Sequence, residues 1–545
     1  MKNSFIFPLI GLAAGVQAVK NCSVASISQF LPKNATVYFA KDYPAHYNFT
    51  PPISLNYGLT SDPMGISAYE LPVAACIAQA NITLPNNTQH SVGFVLPDEW
   101  NGRFLTEGNG EFSGSVGWDS IISASWYGFA VVSSDLGHEG NNGSFGYHNE
   151  QALQNWGHVA LHNAVVNGKA VTEGYYDQKI SYSYYRGCSA GGKQGLKEVE
   201  EYPEDFDGVI AGAPAWWTTH QQLWNVLTAV WNLPEDADYH VTDDQMSAVA
   251  TEILKQCDPQ DGVTDGILQN PFGCVFDLTQ LTCNSTSSND TCFTSAQMHT
   301  VNKLFNPWVD ANDTFIFPGY TLGTEVGAPS LDSDFVTYIQ YMLQIGGDWT
   351  WEDWNSQELI ALSDRLNPGN ATADNFDIEP FYKHGGKLIH YHGYSDPSIA
   401  TGASFYFFNH VAQALKPKGV PISDFYRFFP IPGMEHCTST PSDQNAPWYL
   451  NGDDQSDSLT GTVWGVPGFN DSKHDIVLAI MDWVENGTAP DYLIPTKWWN
   501  DNPDDGVEIQ RPICSYPELA LYNGTGNTSL PENWHCGLLY YYLQA

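Results

Sequence analysis

The sequence predicts an α/β protein in which a mostly parallel sheet is flanked by helices and interrupted by a large inserted domain. Segments of strand length with apolar or alternating character lie at 91–96, 103–106, 128–134, 182–186 and 206–211. Longer segments with helical periodicity separate several of them, and this order is typical of parallel sheets. This alternation of strand and helix segments stops near residue 215 and resumes near residue 383. We therefore predict a core domain over 19–214 and 383–545, with an inserted lid over 215–382.

Composition and charge limit the classes of partner. The 545 residues are 42% hydrophobic and 14% aromatic, which is typical of a folded globular chain. The formal net charge of −40 disfavours nucleic acids and anionic membrane surfaces, because both are negatively charged. Charge excludes these partners and does not choose a substrate, whether a small molecule or a polysaccharide.

The N-terminus and the cysteines predict an extracellular protein. Residues 1–18 combine a basic start, a short apolar run and small residues at the end, as secretory signal peptides do. Ten cysteines suit an oxidising compartment, and we expect Cys22 to pair with Cys76. Glycosylation sequons recur at Asn34, Asn48, Asn81, Asn142, Asn312, Asn370, Asn486 and Asn523.

One stretch carries the chemistry. Gly187-x-Ser189-x-Gly191 lies between a predicted strand and a predicted helix. This pattern fits a nucleophile elbow, in which a tight turn exposes the serine oxygen at a helix N-terminus. Ser189 is therefore the predicted nucleophile. Cys188 is the rival candidate, but a secreted thiol tends to be oxidised, and Cys437 is an available partner.

A serine nucleophile requires a base and a carboxylate that orients the base. In elbow enzymes these partners follow the serine in the order acid, then histidine. The strand predicted at 387–392 ends before Asp396, and the strand predicted at 425–431 ends before His436. We predict that both side chains reach the edge of the sheet where Ser189 lies. Glu435 is a poorer acid, because adjacent residues do not easily aim at one imidazole nitrogen.

The neighbours of the predicted triad are cysteines. Cys188 precedes Ser189, and Cys437 follows His436. If the serine and the histidine meet, the two cysteines approach the Cα separation of roughly 5.5 Å that a disulfide needs. Such a bridge would hold the nucleophile and the base in register.

Two further motifs have competing interpretations. The glycine-rich loop 107–114 follows a strand but lacks the spacing of phosphate-binding loops, so in an elbow protein it is expected to supply an oxyanion N–H group. His158 and His162 have a zinc-compatible spacing, but Val159 stands where the metalloprotease motif has glutamate. Structural histidines are the favoured interpretation.

The combined motifs resemble the fungal tannase and feruloyl esterase family. They are Gly187-Cys188-Ser189-Ala190-Gly191-Gly192, His392-Gly393-x-x-Asp396-Pro397 and Gly433-Met434-x-His436-Cys437. The resemblance implies an α/β-hydrolase fold with a large lid and a Cys188–Cys437 disulfide. It also implies that Ser189 is the nucleophile, His436 the base and Asp396 its partner, with the N–H groups of Ala190 and Gly110 as oxyanion donors. Glu111 stands where some relatives have another glycine.

The lid carries a candidate calcium loop. Three acidic side chains lie close together in a glycine-containing segment, and such oxygen ligands suit Ca²⁺ as well as they suit a solvated turn. The resemblance implies a structural Ca²⁺ with ligands Asp258, Asp261, Val263, Asp265 and Ile267. Disulfides Cys257–Cys274 and Cys283–Cys292 are expected in the lid, and Cys514 and Cys536 are expected to pair in the tail.

The expected reaction is hydrolysis of a carboxylic ester through an acyl-serine. The resemblance implies aryl esters, either hydroxycinnamates of the plant cell wall or gallates of tannins. Lid tryptophans are candidates for stacking on a phenolic ring, although packing is the more common role for each one; they are Trp217, Trp224, Trp351 and Trp354. An esterase that tailors a fungal metabolite and a non-catalytic hydrolase-like binding protein remain alternatives.

Overall fold

The structure is a computed structural model that describes residues 21–51, 68–84, 87–283 and 291–538. Within these ranges nine strands form one central sheet. They are β1 (Ala35–Tyr43), β2 (Ala75–Thr83), β3 (Gln89–Pro97), β4 (Arg103–Glu107), β5 (Ala130–Ser134), β6 (Tyr182–Cys188), β7 (Gly208–Gly212), β8 (Lys387–Gly393) and β9 (Tyr426–Ile431). The predicted signal peptide lies outside the described residues.

The longer helices are α1 (Trp118–Ala124), α2 (Ala160–Tyr176), α3 (Ala190–Glu201), α4 (Thr218–Val230), α5 (Asp243–Cys257), α6 (Ser295–Phe305), α7 (Ser356–Leu366), α8 (Gly402–Leu415) and α9 (Ile476–Asn486). A π-helical turn, Asn155–Val159, precedes α2. Shorter helices are Val24–Ile27, Glu150–Gln154, Ser333–Thr337 and Glu379–His384. In the described part of the chain, no helix combines the length and the apolar character needed to cross a membrane.

The strand order places the elbow in the middle of the sheet. The order is β1-β2-β3-β5-β4-β6-β7-β8-β9. The six strands β5, β4, β6, β7, β8 and β9 pair in parallel with their neighbours. The pairs β1–β2, β2–β3 and β3–β5 are antiparallel. This is the α/β-hydrolase arrangement, so the predicted fold class is confirmed. Parallel strands point their carboxyl ends to one edge, which brings the loops after β6, β8 and β9 together.

Helices cover both faces of the sheet and bury the strands between them. Neighbouring residues of one strand face different apolar clusters; Val131 packs into one cluster and Val132 into the other. All five residues of β7 are buried. A strand buried on both faces has a continuous apolar sequence, which explains why the pattern predicted strands well.

Smaller two-stranded pairings lie outside the central sheet. Their strands are Asn48–Phe49, Tyr69–Glu70, Trp308–Val309, Phe315–Phe317, Tyr492–Leu493, Thr496–Trp498, Val507–Gln510, Ile513–Cys514, Leu519–Tyr522 and Trp534–Gly537. In the described residues between β7 and β8, helices α4 to α7 occur with one short hairpin and without a strand of the main sheet. The exact borders of the lid stay a prediction.

Five disulfides are present in the described chain. They join Cys22–Cys76, Cys188–Cys437, Cys257–Cys274, Cys283–Cys292 and Cys514–Cys536. The sequon at Asn81 lies on β2, where its side chain is 5% exposed and donates to Tyr38 and Gln89. A buried side chain is less accessible to glycosylation than an exposed one, and glycosylation of the sequons stays a prediction.

A buried ion pair joins the elbow strand to its neighbour. Arg186 on β6 and Glu107 on β4 are each 1% exposed, and Arg186 Nη2 lies 2.7 Å from Glu107 Oε1. Arg186 Nη1 also donates to the carbonyl of Asn451 at 2.8 Å. Because Glu107 begins the glycine-rich loop, the pair fixes that loop relative to the elbow.

Replacing Arg186 with Met is expected to lower the free energy of unfolding by about 3–5 kcal/mol, since it leaves the Glu107 carboxylate buried without its charged partner. Urea unfolding would measure the loss. The control is Lys179→Met, which breaks an exposed pair with Glu173 and should cost less than about 1 kcal/mol. Equal stability of the two variants would contradict the role assigned to the buried pair.

Candidate active site

Ser189 occupies a strained turn between β6 and α3. Its backbone has φ 62° and ψ −123°, a conformation that costs energy for any residue with a side chain. A Cβ added at Gly187 would lie 2.8 Å from the carbonyl carbon of Gly191, so only glycine fits there. Ser189 is half-buried, and Ala190 starts α3, where backbone N–H groups lack helical partners. The structure therefore contains the elbow geometry that the sequence predicted.

Asp396 and His436 form a direct hydrogen bond. His436 Nδ1 donates to Asp396 Oδ2 at 2.7 Å, and the other carboxylate oxygen accepts the N–H groups of Ser398 and Ile399, both at 2.8 Å. Burial by itself would raise the pKa of Asp396, but the two histidines beside it, His436 and His392, hold it well below its usual range. The carboxylate is therefore ionised although it is only 1% exposed.

The loops after β8 and β9 touch through their backbones. Ser395 N–H donates to the carbonyl of Met434 at 2.9 Å. A Cβ at Gly393 would lie 2.1 Å from that same carbonyl oxygen, so glycine is required for the close approach. This contact places the Asp396 loop directly against the His436 loop.

The disulfide Cys188–Cys437 ties the elbow to the histidine loop. Its Cα atoms are 6.0 Å apart, and it links positions separated by 249 residues. Cys437 has φ 64°, and its carbonyl accepts Gln455 Nε2 at 2.9 Å. Ser189 and His436 each adjoin one end of this bridge, so their backbones are held near each other.

The glycine-rich loop is anchored beside the elbow. Gly108 N–H donates to the carbonyl of Arg186 at 2.9 Å, and Asn109 N–H donates to Gln194 Oε1 at 3.0 Å. Gly110 follows as an exposed residue, with open space where a side chain would be. The pKa of Glu111 is raised, first by burial and then by Asp334 and Asp332, while His436 opposes the shift. The loop tip therefore lies within electrostatic reach of His436.

Glu435 is not the partner of His436; Asp396 holds that position. The pKa of Glu435 is raised to about 7, first by burial and then by the neighbouring carboxylates Glu325 and Asp396. A second acidic group is therefore close to the site, and its charge depends on pH near neutrality.

The histidine pair on the helical segment before the elbow has side-chain partners. His158 Nδ1 lies 2.8 Å from the hydroxyl of Tyr202, and His162 Nδ1 lies 2.7 Å from Asp205 Oδ2. These contacts fit the structural interpretation of both residues.

The candidate calcium loop is closed by its own N–H groups. Asp258 is buried and accepts the N–H groups of Asp265 and Gly266, while Asp261 accepts that of Gln269 at 2.8 Å. Asp265 also pairs with Arg511. Burial raises the pKa of Asp261 to about 6, with Asp265 and Asp258 adding to the shift. Crowded, partly buried carboxylates of this kind suit a hard cation.

The four tryptophans differ in exposure. Trp224 is fully buried and contacts Phe317 and Tyr320, so it packs the interior. Trp217 is half-buried and stacks on Trp216, with ring centroids 5.0 Å apart. It stands two residues after Ala215, whose N–H donates to the carbonyl of Ser189 at 3.1 Å. Trp351 and Trp354 are half-buried.

Besides Arg186, sequence reasoning missed two further residues that support the site. His392 contacts the same oxygen of Asp396 that His436 uses, and Gln194 anchors the glycine-rich loop. The signals for His392 were its place in the motif His392-Gly393-x-x-Asp396-Pro397 and its position at the end of β8, and neither indicates a contact with Asp396. Gln194 lies on the second turn of α3, where sequence alone does not distinguish it from other helical glutamines.

The fold and the site define a member of the α/β-hydrolase class. A sequence profile described as "Tannase and feruloyl esterase" matches residues 76–330 and 342–537. The chain is 35% identical over 497 residues to a probable feruloyl esterase B-1 of Aspergillus oryzae, covering 89% of this chain and 88% of that one. The protein therefore belongs to the tannase and feruloyl esterase family of carboxylic ester hydrolases.

Solved structures agree with this assignment. The crystal structure of feruloyl esterase B from Aspergillus oryzae superposes with a TM-score of 0.84 at 33% identity, covering 94% of this chain and 99% of that one. Tannin acyl hydrolase from Aspergillus niger superposes with a TM-score of 0.74 at 20% identity, covering 95% of each chain. The second likeness concerns the fold alone.

Replacing Cys188 and Cys437 together with Ala is expected to reduce ester turnover more than tenfold, because the elbow and the histidine loop lose their tie. The bridge also contributes about 5 kcal/mol to the free energy of unfolding, because it restricts the conformational entropy of the unfolded chain. Activity would be assayed below the variant's melting temperature. The control is Cys514→Ala with Cys536→Ala, which opens a loop of 22 residues and should cost about 3 kcal/mol with little change in turnover. Full activity of the first variant would remove the catalytic role of the bridge.

Proposed function

We propose that the protein is a secreted serine esterase that hydrolyses phenolic carboxylic esters of the feruloyl type. The single observation that carries the proposal is the 2.7 Å hydrogen bond from His436 to the buried Asp396. His436 lies on a loop that the Cys188–Cys437 disulfide joins to the Ser189 elbow. The similarity to feruloyl esterases over most of the chain supports the hydroxycinnamoyl substrate. Tannase-type hydrolysis of gallates is the alternative acyl specificity within the same family.

The proposed reaction has two steps. His436 Nε2 takes the proton of Ser189 Oγ as this oxygen attacks the ester carbonyl, and it then protonates the leaving alcohol. Water next attacks the acyl-serine and gives a proton to His436, which returns this proton to Ser189 Oγ as the acyl–oxygen bond breaks and the free acid leaves. The negative oxygen formed in each step is stabilised by the N–H groups of Ala190 and Gly110.

Asp396 makes this proton transfer favourable. Its ionised carboxylate fixes the tautomer of His436 by accepting Nδ1–H, so that the lone pair of the base is on Nε2. The same charge stabilises the imidazolium that forms when His436 takes the serine proton. The environment of Asp396, which lowers its pKa, keeps it ionised even in acidic medium.

We also propose a structural Ca²⁺ in the lid. The side chains of Asp258, Asp261 and Asp265 and the backbone oxygens of Val263 and Ile267 would hold it. The crowding of the carboxylates and the raised pKa values of Asp258 and Asp261 support this assignment, since a cation would offset the repulsion between them. The ion would stabilise the loop that Cys257–Cys274 closes and would take no part in the reaction.

Replacing Ser189 with Ala is expected to lower turnover of methyl ferulate at least 10⁴-fold, because the residual rate would come only from binding and oxyanion stabilisation. The wild type is expected to prefer methyl ferulate and methyl caffeate over methyl gallate and over a plain alkyl ester. Initial rates on these four esters would measure the preference.

Each outcome of the ester panel has a separate meaning. Ester turnover that persists in the Ser189→Ala protein would refute the nucleophile assignment. Preference for methyl gallate would replace the feruloyl proposal with the tannase alternative. Activity confined to the alkyl ester would exclude a phenolic substrate.

Removing calcium with EDTA is expected to lower the melting temperature of the wild type by several degrees, and added Ca²⁺ should restore it, since an ion that binds only the folded state stabilises that state. The variant Asp261→Asn should respond to neither treatment. Metal analysis of the purified protein provides an independent measurement. A wild type without bound calcium and without a thermal response would contradict the proposal.

A further inference from the structure

A continuous chain of buried side chains leads away from Asp396. His392 Nε2 lies 2.9 Å from Asp396 Oδ2, and His392 Nδ1 lies 2.7 Å from Ser404 Oγ. Ser404 Oγ in turn lies 2.8 Å from His390 Nε2, and His390 Nδ1 lies 2.8 Å from the hydroxyl of Tyr426. All five residues are 0–1% exposed, so water does not compete for these contacts.

The contacts fix the direction of every hydrogen bond in the chain. His392 Nε2 faces two acceptors, the Asp396 carboxylate and the carbonyl of Ile399 at 3.1 Å, so this nitrogen carries the proton. Nδ1 of a neutral His392 is then an acceptor and receives the proton of Ser404. Ser404 in turn accepts His390 Nε2–H, and His390 Nδ1 accepts the hydroxyl proton of Tyr426.

The neutral arrangement is the one that satisfies every group. A doubly protonated His392 would reverse the bonds of the chain, so that Ser404 donates to His390 Nε2 and His390 Nδ1–H donates to Tyr426. The hydroxyl proton of Tyr426 would then have no acceptor among these residues, and a further charge would be buried. Burial holds the pKa of His390 well below its ordinary value, so that ring is neutral. Burial raises the pKa of Tyr426, so its hydroxyl remains a donor.

We propose that His392 is a positioning residue for the reaction, which holds Asp396 through a one-directional relay Tyr426–His390–Ser404–His392. His392 shares Oδ2 with His436 and partly neutralises the carboxylate on the side away from the substrate. The relay thereby sets how strongly Asp396 attracts the proton on His436. The proposal rests on the proposed function, because it assigns His392 to the same Asp396–His436 pair.

The remaining ionisable groups near Asp396 do not replace His392. Tyr320 and Glu435 face Asp396 closely enough to interact with its charge, and the Asp396 charge raises the pKa of each, although burial contributes more. The structure records a hydrogen bond to the carboxylate side chain from two histidines and two backbone N–H groups in the described chain. Removing His392 thus removes one of the two side-chain donors.

Replacing His392 with Leu is expected to lower kcat/KM for methyl ferulate about 10- to 100-fold, because the charged carboxylate of Asp396 loses one of its hydrogen-bond donors. The acid limb of the pH profile of kcat/KM is expected to move to higher pH. The less neutralised carboxylate binds the proton of His436 more tightly, and this proton must be absent for His436 to act as the base.

Three further variants separate positioning from packing. His392→Gln keeps an amide donor near Asp396 and should recover activity to within about fivefold of wild type. Ser404→Ala leaves His392 in place but removes the partner of its Nδ1, so an intermediate loss of about three- to tenfold is expected. His90→Leu is the matched control, because His90 is also 0% exposed and contacts two side chains, Ser134 and Asn163. It should cost stability without moving the acid limb.

The outcomes test the relay and the proposed function separately. If the Ser189→Ala protein is inactive while His392→Leu retains both the wild-type rate and the wild-type acid limb, the relay is refuted and the triad stands. A loss in His392→Leu that Gln does not restore, with an unmoved acid limb, would reduce His392 to a packing role and also refute it. Ester turnover by Ser189→Ala would refute the nucleophile regardless of His392.

Discussion

The structure depends on keeping one buried carboxylate ionised. Moving a charged carboxylate out of water is costly unless hydrogen bonds replace its hydration. Asp396 receives four such bonds, from two backbone N–H groups and from His392 and His436. These donors come from its own loop, from β8 and from the loop after β9. The charge is therefore stable only when these segments of the core are assembled.

The topology of the sheet brings these segments together, and it requires no particular residues in the loops to do so. Parallel strands end at one edge, so residues far apart in the chain meet wherever three loops follow three neighbouring strands. Local details then set the final distances. Gly393 permits the backbone contact with Met434, and Cys188–Cys437 joins the elbow to the histidine loop. A site with these two constraints loses little entropy when substrate binds, because its geometry already exists in the free protein.

Patterns with a local cause were predictable from sequence. The strand β7 is buried on both faces, so its short apolar run predicted a strand, and the elbow glycines followed from the steric limits of a tight turn. Asp396 and His436 were predicted from chain order and strand ends. His392 and Gln194 were not, because their roles arise from contacts across 4 and 85 residues that involve ordinary polar side chains. The hydrophobic periodicity of a sequence carries no information about such contacts.

The polar groups that prediction missed share one physical property. Arg186, His392 and Gln194 are each buried, and each directs its hydrogen bonds to a neighbouring segment of the site. Apolar residues at these positions would fill space at a lower desolvation cost. A polar side chain adds direction, because it is stable in only the few geometries that satisfy its donors and acceptors. The site is therefore positioned by groups whose burial is favourable only when the elbow, the glycine-rich loop and the acid–base pair are all correctly placed.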